Sequence, residues 1–209
     1  MIVAGLTGSI GMGKSTVARY LRSKGIAVLD ADQIVHELYT GEAVPLIEAA
    51  FPGTVKDGVI DRKALSAQAL ASEESLKKLE AIVHPLVRRA ELRHLMAEQA
   101  KGVDLVVVEV PLLFETDAYP FFDAVIVVSA PPAAQHERVV SRSGMTDEKF
   151  HAILARQWPD AKKREMADFV VDTGVPHEGT YRQIDAAIEE IKKRPPQAYQ
   201  RWADVYSAS

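Results

Sequence analysis

No cysteine occurs among the 209 residues. That excludes a disulfide framework, a thiolate metal site and a cysteine nucleophile, and it agrees with a reducing compartment, the cytoplasm by default. Asparagine is absent as well, which removes every recognition element that requires one. Net charge is small: 25 Lys and Arg stand against 29 Asp and Glu, a formal −4. A nucleic-acid polymer calls for many cations gathered on one face, so this balance speaks against one and favours a small phosphorylated substrate. No apolar run approaches the roughly 20 residues that span a bilayer, so no membrane partner is expected. The opening residues Met1-Ile2-Val3-Ala4-Gly5-Leu6 lack a basic leader and read as a strand rather than a cleaved signal.

What is present is the alternation of short β-rich runs with longer helical stretches that builds an α/β fold, a parallel sheet with helices on both faces. Five runs qualify as strands: Ile2 to Leu6, Ala27 to Leu29, Leu105 to Val110, Ala124 to Val128 and Phe169 to Val171. Their continuous apolar character suits strands buried on both sides. A single main domain is expected at this length. Between the second and third strands lies more chain than a crossover needs, read as an inserted helical lobe over 40–100, with helices at Val44 to Ala50, Ala64 to Ala71, Ser72 to Ile82 and Pro85 to Ala100. A second excursion, 133–167, is rich in Arg and Lys and reads as a lid. Pro195-Pro196 ends the last helix, and the tail 194–209 has a composition open to disorder.

The first strand runs into Gly8-Ser9-Ile10-Gly11-Met12-Gly13-Lys14-Ser15, and Thr16 onward continues as a helix. Strand, glycine-rich turn and helix in this order make a phosphate-binding loop. Glycines let successive N–H groups converge on phosphate oxygens, and the helix N-terminus adds positive potential. Gly8, Gly11, Met12, Gly13, Lys14, Ser15 and Thr16 are therefore the expected nucleoside triphosphate contacts. Lys14 reaches the β and γ phosphates, and the Ser15 hydroxyl is the expected ligand to magnesium. A switch GTPase would read guanine through Asn-Lys-x-Asp, which a chain without asparagine cannot do. A small-molecule kinase needs an acceptor site, a proton acceptor and cations over the transferring group.

Asp30-Ala31-Asp32 follows the second strand, where a parallel sheet opens its ligand crevice. Either aspartate can cap the helix that follows, and either can serve as base. Glu109 ends the third strand and can hold a metal-bound water or be a buried structural acid. His84 alone reads more readily as structural, and Leu112, Leu113 and Phe114 alone read as core. Arg138 and Arg142 are four apart and so share a helix face that can clamp a phosphate, or simply face solvent.

The separated elements Leu6 to Thr16, Asp30-Ala31-Asp32, Gly58-Val59-Ile60-Asp61-Arg62, His84-Pro85, Pro111-Leu112-Leu113-Phe114-Glu115, and Gln157 leading to Ala167-Asp168, together resemble the dephospho-CoA kinase family over residues 2 to about 174. The resemblance implies a P-loop NTPase three-layer fold with a five-stranded parallel sheet, an inserted helical substrate lobe and a helical lid. It implies ATP as donor with Mg2+, and phosphorylation of the ribose 3′-hydroxyl of dephospho-CoA in the last step of coenzyme A synthesis. By the same resemblance Asp32 is the base and Asp30 supports it. His84, Leu112, Leu113 and Phe114 line the acceptor site, Lys14, Arg138 and Arg142 act on the phosphoryl group, and Lys163 is a secondary phosphate contact. Asp172-Thr173-Gly174 departs from the Asp-Asn-Gly common in the family, which leaves the base-contacting atoms there open. A nucleoside monophosphate kinase is the alternative, with Arg62, Arg88 and Arg89 available to clamp an acceptor phosphate.

Overall fold

A computed structural model describes residues 1–206. The chain divides into two compact units, one formed by Met1–Leu29 with Ala97–Trp202, the other by Asp30–Met96 with a short stretch from Ala203.

The first unit is built on a five-stranded parallel sheet in the order β2-β5-β1-β6-β7. Its strands are β1 (Ile2–Thr7), β2 (Ala27–Asp30), β5 (Leu105–Glu109), β6 (Ala124–Ser129) and β7 (Phe169–Asp172), each within a residue or two of the expected run. β1 lies between β5 and β6, with Leu6 opposite both Glu109 and Ile126. Every residue of β1, β5 and β6 is buried, which is why these runs show no polar alternation. Helix α1 (Lys14–Ser23) turns Val17, Ala18 and Leu21 onto the sheet, and α9 (His177–Ile191) adds Ile184, Ile188 and Ile191 to the same core. The 4- and 3-residue steps of those isoleucines are the helical period of a single buried face. Each such side chain contributes about 1.5–3 kcal/mol by leaving water.

Also in this unit are α6 (Pro132–Val140), α7 (Asp147–Leu154) and α8 (Asp160–Met166). The last of them is tied down by a buried ion pair: Lys163, fully buried, places Nζ 2.7 Å from Glu115 Oε1. The same carboxylate oxygen accepts the Trp158 N–H at 2.7 Å, and Ser129 donates to Asp160 at 2.7 Å. The expected lid segment is thus anchored to the sheet unit along its final third.

The tail behaves differently from its composition. Ala198–Tyr206 forms α10, and Trp202 is fully buried, its indole N–H donating to Phe121 O at 2.8 Å and its ring tilted against Phe121 at 5.5 Å. Asp123 secures the start of this helix from a distance: its Oδ1 accepts the N–H groups of Gln197 and Ala198, while Oδ2 accepts Val3 N–H. Those helix-start donors would otherwise lack partners. Residues 207–209 of the expected tail lie outside the described residues.

The second unit contains α2 (Ala31–Leu38), α3 (Val44–Ala50), α4 (Arg62–Ala69) and most of α5 (Glu73–Ala100). It also holds an antiparallel hairpin, β3 (Val55–Lys56) and β4 (Val59–Ile60), within a stretch expected to be mostly helical. Asp57 and Gly58 both have positive φ, 51° and 77°, the geometry of the two-residue Asp-Gly hairpin turn. Pro85 does not start a helix either: α5 is continuous through it. A proline there forfeits one backbone bond and costs about 3 kcal/mol, and the burial of Leu86, Ala90, Leu92 and Leu95 on the following turns outweighs that loss.

Candidate active site

The loop Gly8–Ser15 leaves the carboxyl end of β1 and enters α1, as its residue pattern requires. Gly8 has φ +151° and lies so close to β6 that a Cβ there would come within 2.5 Å of Val128 O. Gly13, in the left-handed region at φ 92°, is the N-cap of α1 and supplies no side-chain cap. A helix start of this kind, with no side-chain cap, suits an anion. Lys14 folds back over the loop, its Nζ donating to Gly8 O, and Ser15 is exposed beside it.

Side chains from later in the chain grip this loop. Ile10 N–H is accepted by Gln157 Oε1 at 3.0 Å, and Ile10 O accepts Gln135 Nε2 at 2.8 Å. Thr173 Oγ1 donates to Met12 O at 2.7 Å. Arg138 in turn holds Thr173 through both guanidinium nitrogens, Nη2 to its carbonyl at 2.7 Å and Nη1 to its hydroxyl at 3.2 Å. Thr173, the residue that departs from the family pattern, thus contacts the phosphate loop. A cavity of about 480 Å³ opens beside Met12, bounded by Pro131, Gln135, Asp160, Arg164 and Asp172. Met12 is the one residue of the Gly8–Ser15 loop that lines it.

A model of the dephospho-CoA kinase family matches residues 1–176. The chain belongs to the dephospho-CoA kinase family. A dephospho-CoA kinase of Mesorhizobium japonicum is 51% identical over 92% of this chain and 98% of its own length. Among solved structures, a Thermus thermophilus protein is similar at 37% identity and a TM-score of 0.79, covering 90% of this chain and 97% of its own. The dephospho-CoA kinase from Campylobacter jejuni aligns at 28% identity and a TM-score of 0.67, over 91% and 97% of the two chains. The family uses ATP to carry out the final step of coenzyme A synthesis.

Within the dephospho-CoA kinase pattern the two aspartates at the junction of β2 and α2 have different surroundings. Asp30 is the N-cap of α2, its Oδ1 accepting the N–H groups of Asp32 and Gln33 at 2.9 and 3.3 Å. Asp32 sits in the first turn, exposed, with its carboxylate outside that cap. His84 is exposed on α5. Leu112 is exposed too, whereas Leu113 and Phe114 are buried. Leu113 packs against Gly5 of the central strand, and Phe114 stacks on Trp158 with ring centres 5.9 Å apart. Glu109 is buried at the end of β5, with only 7% of its surface exposed.

Helix α6 ends at Val140 with Ser141 as C-cap, so Arg142 lies just beyond the helix rather than on a shared face with Arg138. Arg142 is exposed, while Arg138 is engaged with Thr173. Gln135 escaped the sequence reading; its one signal was a polar residue on the face of α6 that also buries Val139. Gln157 belongs to the family pattern, but nothing local disclosed a partner 147 residues away.

Proposed function

We propose that this chain transfers the γ phosphoryl group of ATP to the ribose 3′-hydroxyl of dephospho-CoA, giving coenzyme A and ADP. The observation that carries this reading is the Gly8–Ser15 cradle at the end of the central strand, in a chain whose family match runs through it. The new bond joins the 3′ oxygen to the γ phosphorus as the bond from that phosphorus to the β–γ bridging oxygen breaks. The hydroxyl proton passes to the Asp32 carboxylate. Asp30 supports this role by capping α2, which fixes the first turn that carries Asp32. Phosphoryl transfer of this kind asks for alignment and charge stabilisation more than for a strong base.

In the same reading Gly8, Gly11, Met12, Gly13 and Thr16 contact ATP through the loop and the helix start, and Lys14 follows the β and γ phosphates. Arg138 and Arg142 supply positive charge to the transferring group, Arg138 as a cation already oriented by Thr173. His84 and Leu112 contact the acceptor, with Leu113 and Phe114 supporting that loop from the core.

Magnesium fits the residues present. It binds oxygen, keeps several waters and takes one or two protein ligands with substrate phosphates, which suits an exposed Ser15 hydroxyl and the absence, among the described residues, of any cluster of three His, Cys, Asp or Glu. When bound, it would neutralise charge on the phosphates. Ser15 would hold it, and Glu109 would hold one of its waters. A cytoplasmic location belongs to the same reading, supported by a cysteine-free composition. Among the described residues no helix is long and apolar enough to cross a membrane.

The test is ADP release by the purified chain with ATP and magnesium, against dephospho-CoA, CMP, UMP and buffer alone. Turnover on dephospho-CoA only is expected; turnover on CMP or UMP instead would overturn the assignment. Asp32→Asn should keep ATP binding and lose most transfer, and undiminished turnover would remove Asp32 from the role of base.

A further inference from the structure

Ile10 occupies the second position of a tight turn, Ser9 to Met12, closed by Met12 N–H on Ser9 O at 3.2 Å. Gly11 follows at φ 76°, whereas Ile10 is not among the residues of positive φ, and a positive φ at the third position after a negative one at the second marks a type II turn. Types I and II differ in which way the central peptide faces, here the bond between Ile10 and Gly11. A trans peptide is planar, so its C=O and N–H point in opposite directions. Whatever holds Ile10 O on one side therefore aims Gly11 N–H to the other.

Gln135 holds that carbonyl at 2.8 Å, and Gln157 accepts the preceding N–H at 3.0 Å. A backbone carbonyl only accepts and a backbone N–H only donates, so both amide orientations are determined: Gln135 must present its NH2 and Gln157 its oxygen. Helix α6 backs the grip, since a Cβ on Gly11 would meet Val139 Cγ2 at 2.5 Å and the Gln135 carbonyl at 2.9 Å. Gln135 is 6% exposed, so its amide is already withdrawn from water before any nucleotide arrives.

We propose that Gln135 and Gln157 are positioning residues of the phosphate loop, fixing the Ile10 backbone in the orientation that presents Gly11 N–H to the triphosphate. This rests on the reading of Gly8–Ser15 as the ATP cradle. Neither glutamine needs to touch substrate. Their effect is to spare ATP the work of turning a peptide unit on binding.

The opposite hydrogen-bond roles of the two amides make the test sharp. Gln157→Glu keeps an acceptor for Ile10 N–H. Gln135→Glu sets a carboxylate oxygen against Ile10 O. Both add the same charge close to the same residue, and both preserve size. With ATP affinity measured by equilibrium titration alongside KM, Gln135→Glu is expected to weaken ATP binding roughly ten- to hundredfold, and Gln157→Glu by no more than about threefold. Gln157→Leu, which removes the acceptor, should weaken it roughly tenfold, so that Glu rescues what Leu loses. KM for dephospho-CoA should not move in any of them.

Equal losses in Gln135→Glu and Gln157→Glu would show that added charge alone acts and would overturn the proposal. So would ATP affinities unchanged in all three variants. If Gln135→Glu does not fold, the comparison of Gln157→Leu with Gln157→Glu decides, equal affinities refuting the role. A wild-type chain that binds no ATP would refute the cradle reading itself. One that binds ATP but does not turn over dephospho-CoA would refute only the acceptor, leaving this test intact.

Discussion

The buried pair Lys163–Glu115 offers a strong quantitative test of how α8 is held. Lys163 is fully buried and the Glu115 side chain is 10% exposed, with 2.7 Å between the charged atoms. Removing one member leaves the other as an uncompensated charge in a largely buried site, which costs about 3–5 kcal/mol. Glu115→Gln isolates that effect, because the amide oxygen still accepts the Trp158 N–H that Glu115 now accepts at 2.7 Å. Lys163→Met keeps the length of the stem and removes the ammonium. Each single variant should lower the melting temperature by roughly 6–20 °C, at 2–4 °C per kcal/mol for a chain of this size. Replacing both members by neutral groups is close to neutral in comparable sites, so the double variant should recover most of the loss, with a coupling of at least about 3 kcal/mol. Urea unfolding of all four proteins closes the cycle. Additive losses would refute the argument, since they would mean that the two charges do not depend on each other.

Thr173→Val removes the hydroxyl that supports Met12 O while keeping the volume; ATP affinity should fall about tenfold and Thr173→Ser should restore it, whereas equal affinity in Thr173→Val and wild type would show that the buttress has no effect on the loop. Trp202→Ala should destabilise by about 3–5 kcal/mol, read by calorimetry; a melting temperature within a degree of wild type would mean that α10 is not part of the folded core. Glu91 is 1% exposed, and burial, only partly opposed by Arg88, raises its pKa. Its contribution to stability is therefore full below the ordinary glutamate range and is lost as pH rises through the raised folded value. Glu91→Gln has no such titration, so its urea midpoint should gain on that of wild type as pH rises through that window, and parallel curves would contradict the assignment.

Much of the donor site could be read directly from the chain, because the phosphate loop depends on neighbours in sequence: a strand, glycines where backbone must bend or approach another strand, and a helix start. The same holds for the sheet, whose buried strands are short apolar runs whatever their partners. Asp30 and Asp32 mark the limit of that local reading. Both have the chemistry of a cap and of a base, and only the formed helix shows which carboxylate its N–H groups reach. The Asp57-Gly58 turn was a local signal in its own right, overlooked because the surrounding stretch has helical composition.

The remaining features are decided by tertiary structure because their partners are far away along the chain. The tail is polar and proline-led by composition, yet Asp123 and Phe121 give α10 a start and Trp202 a place to be buried. Pro85 is tolerated inside α5 because the packing of later turns exceeds its local cost. Leu113 and Phe114 are apolar, as Leu112 is, and the path of the loop sends two inward and one outward. Gln135 and Gln157 are ordinary glutamines in sequence, separated from Ile10 by 125 and 147 residues. Their hydrogen-bonding capacity is a property of the residue; the backbone group that receives it is a property of the fold.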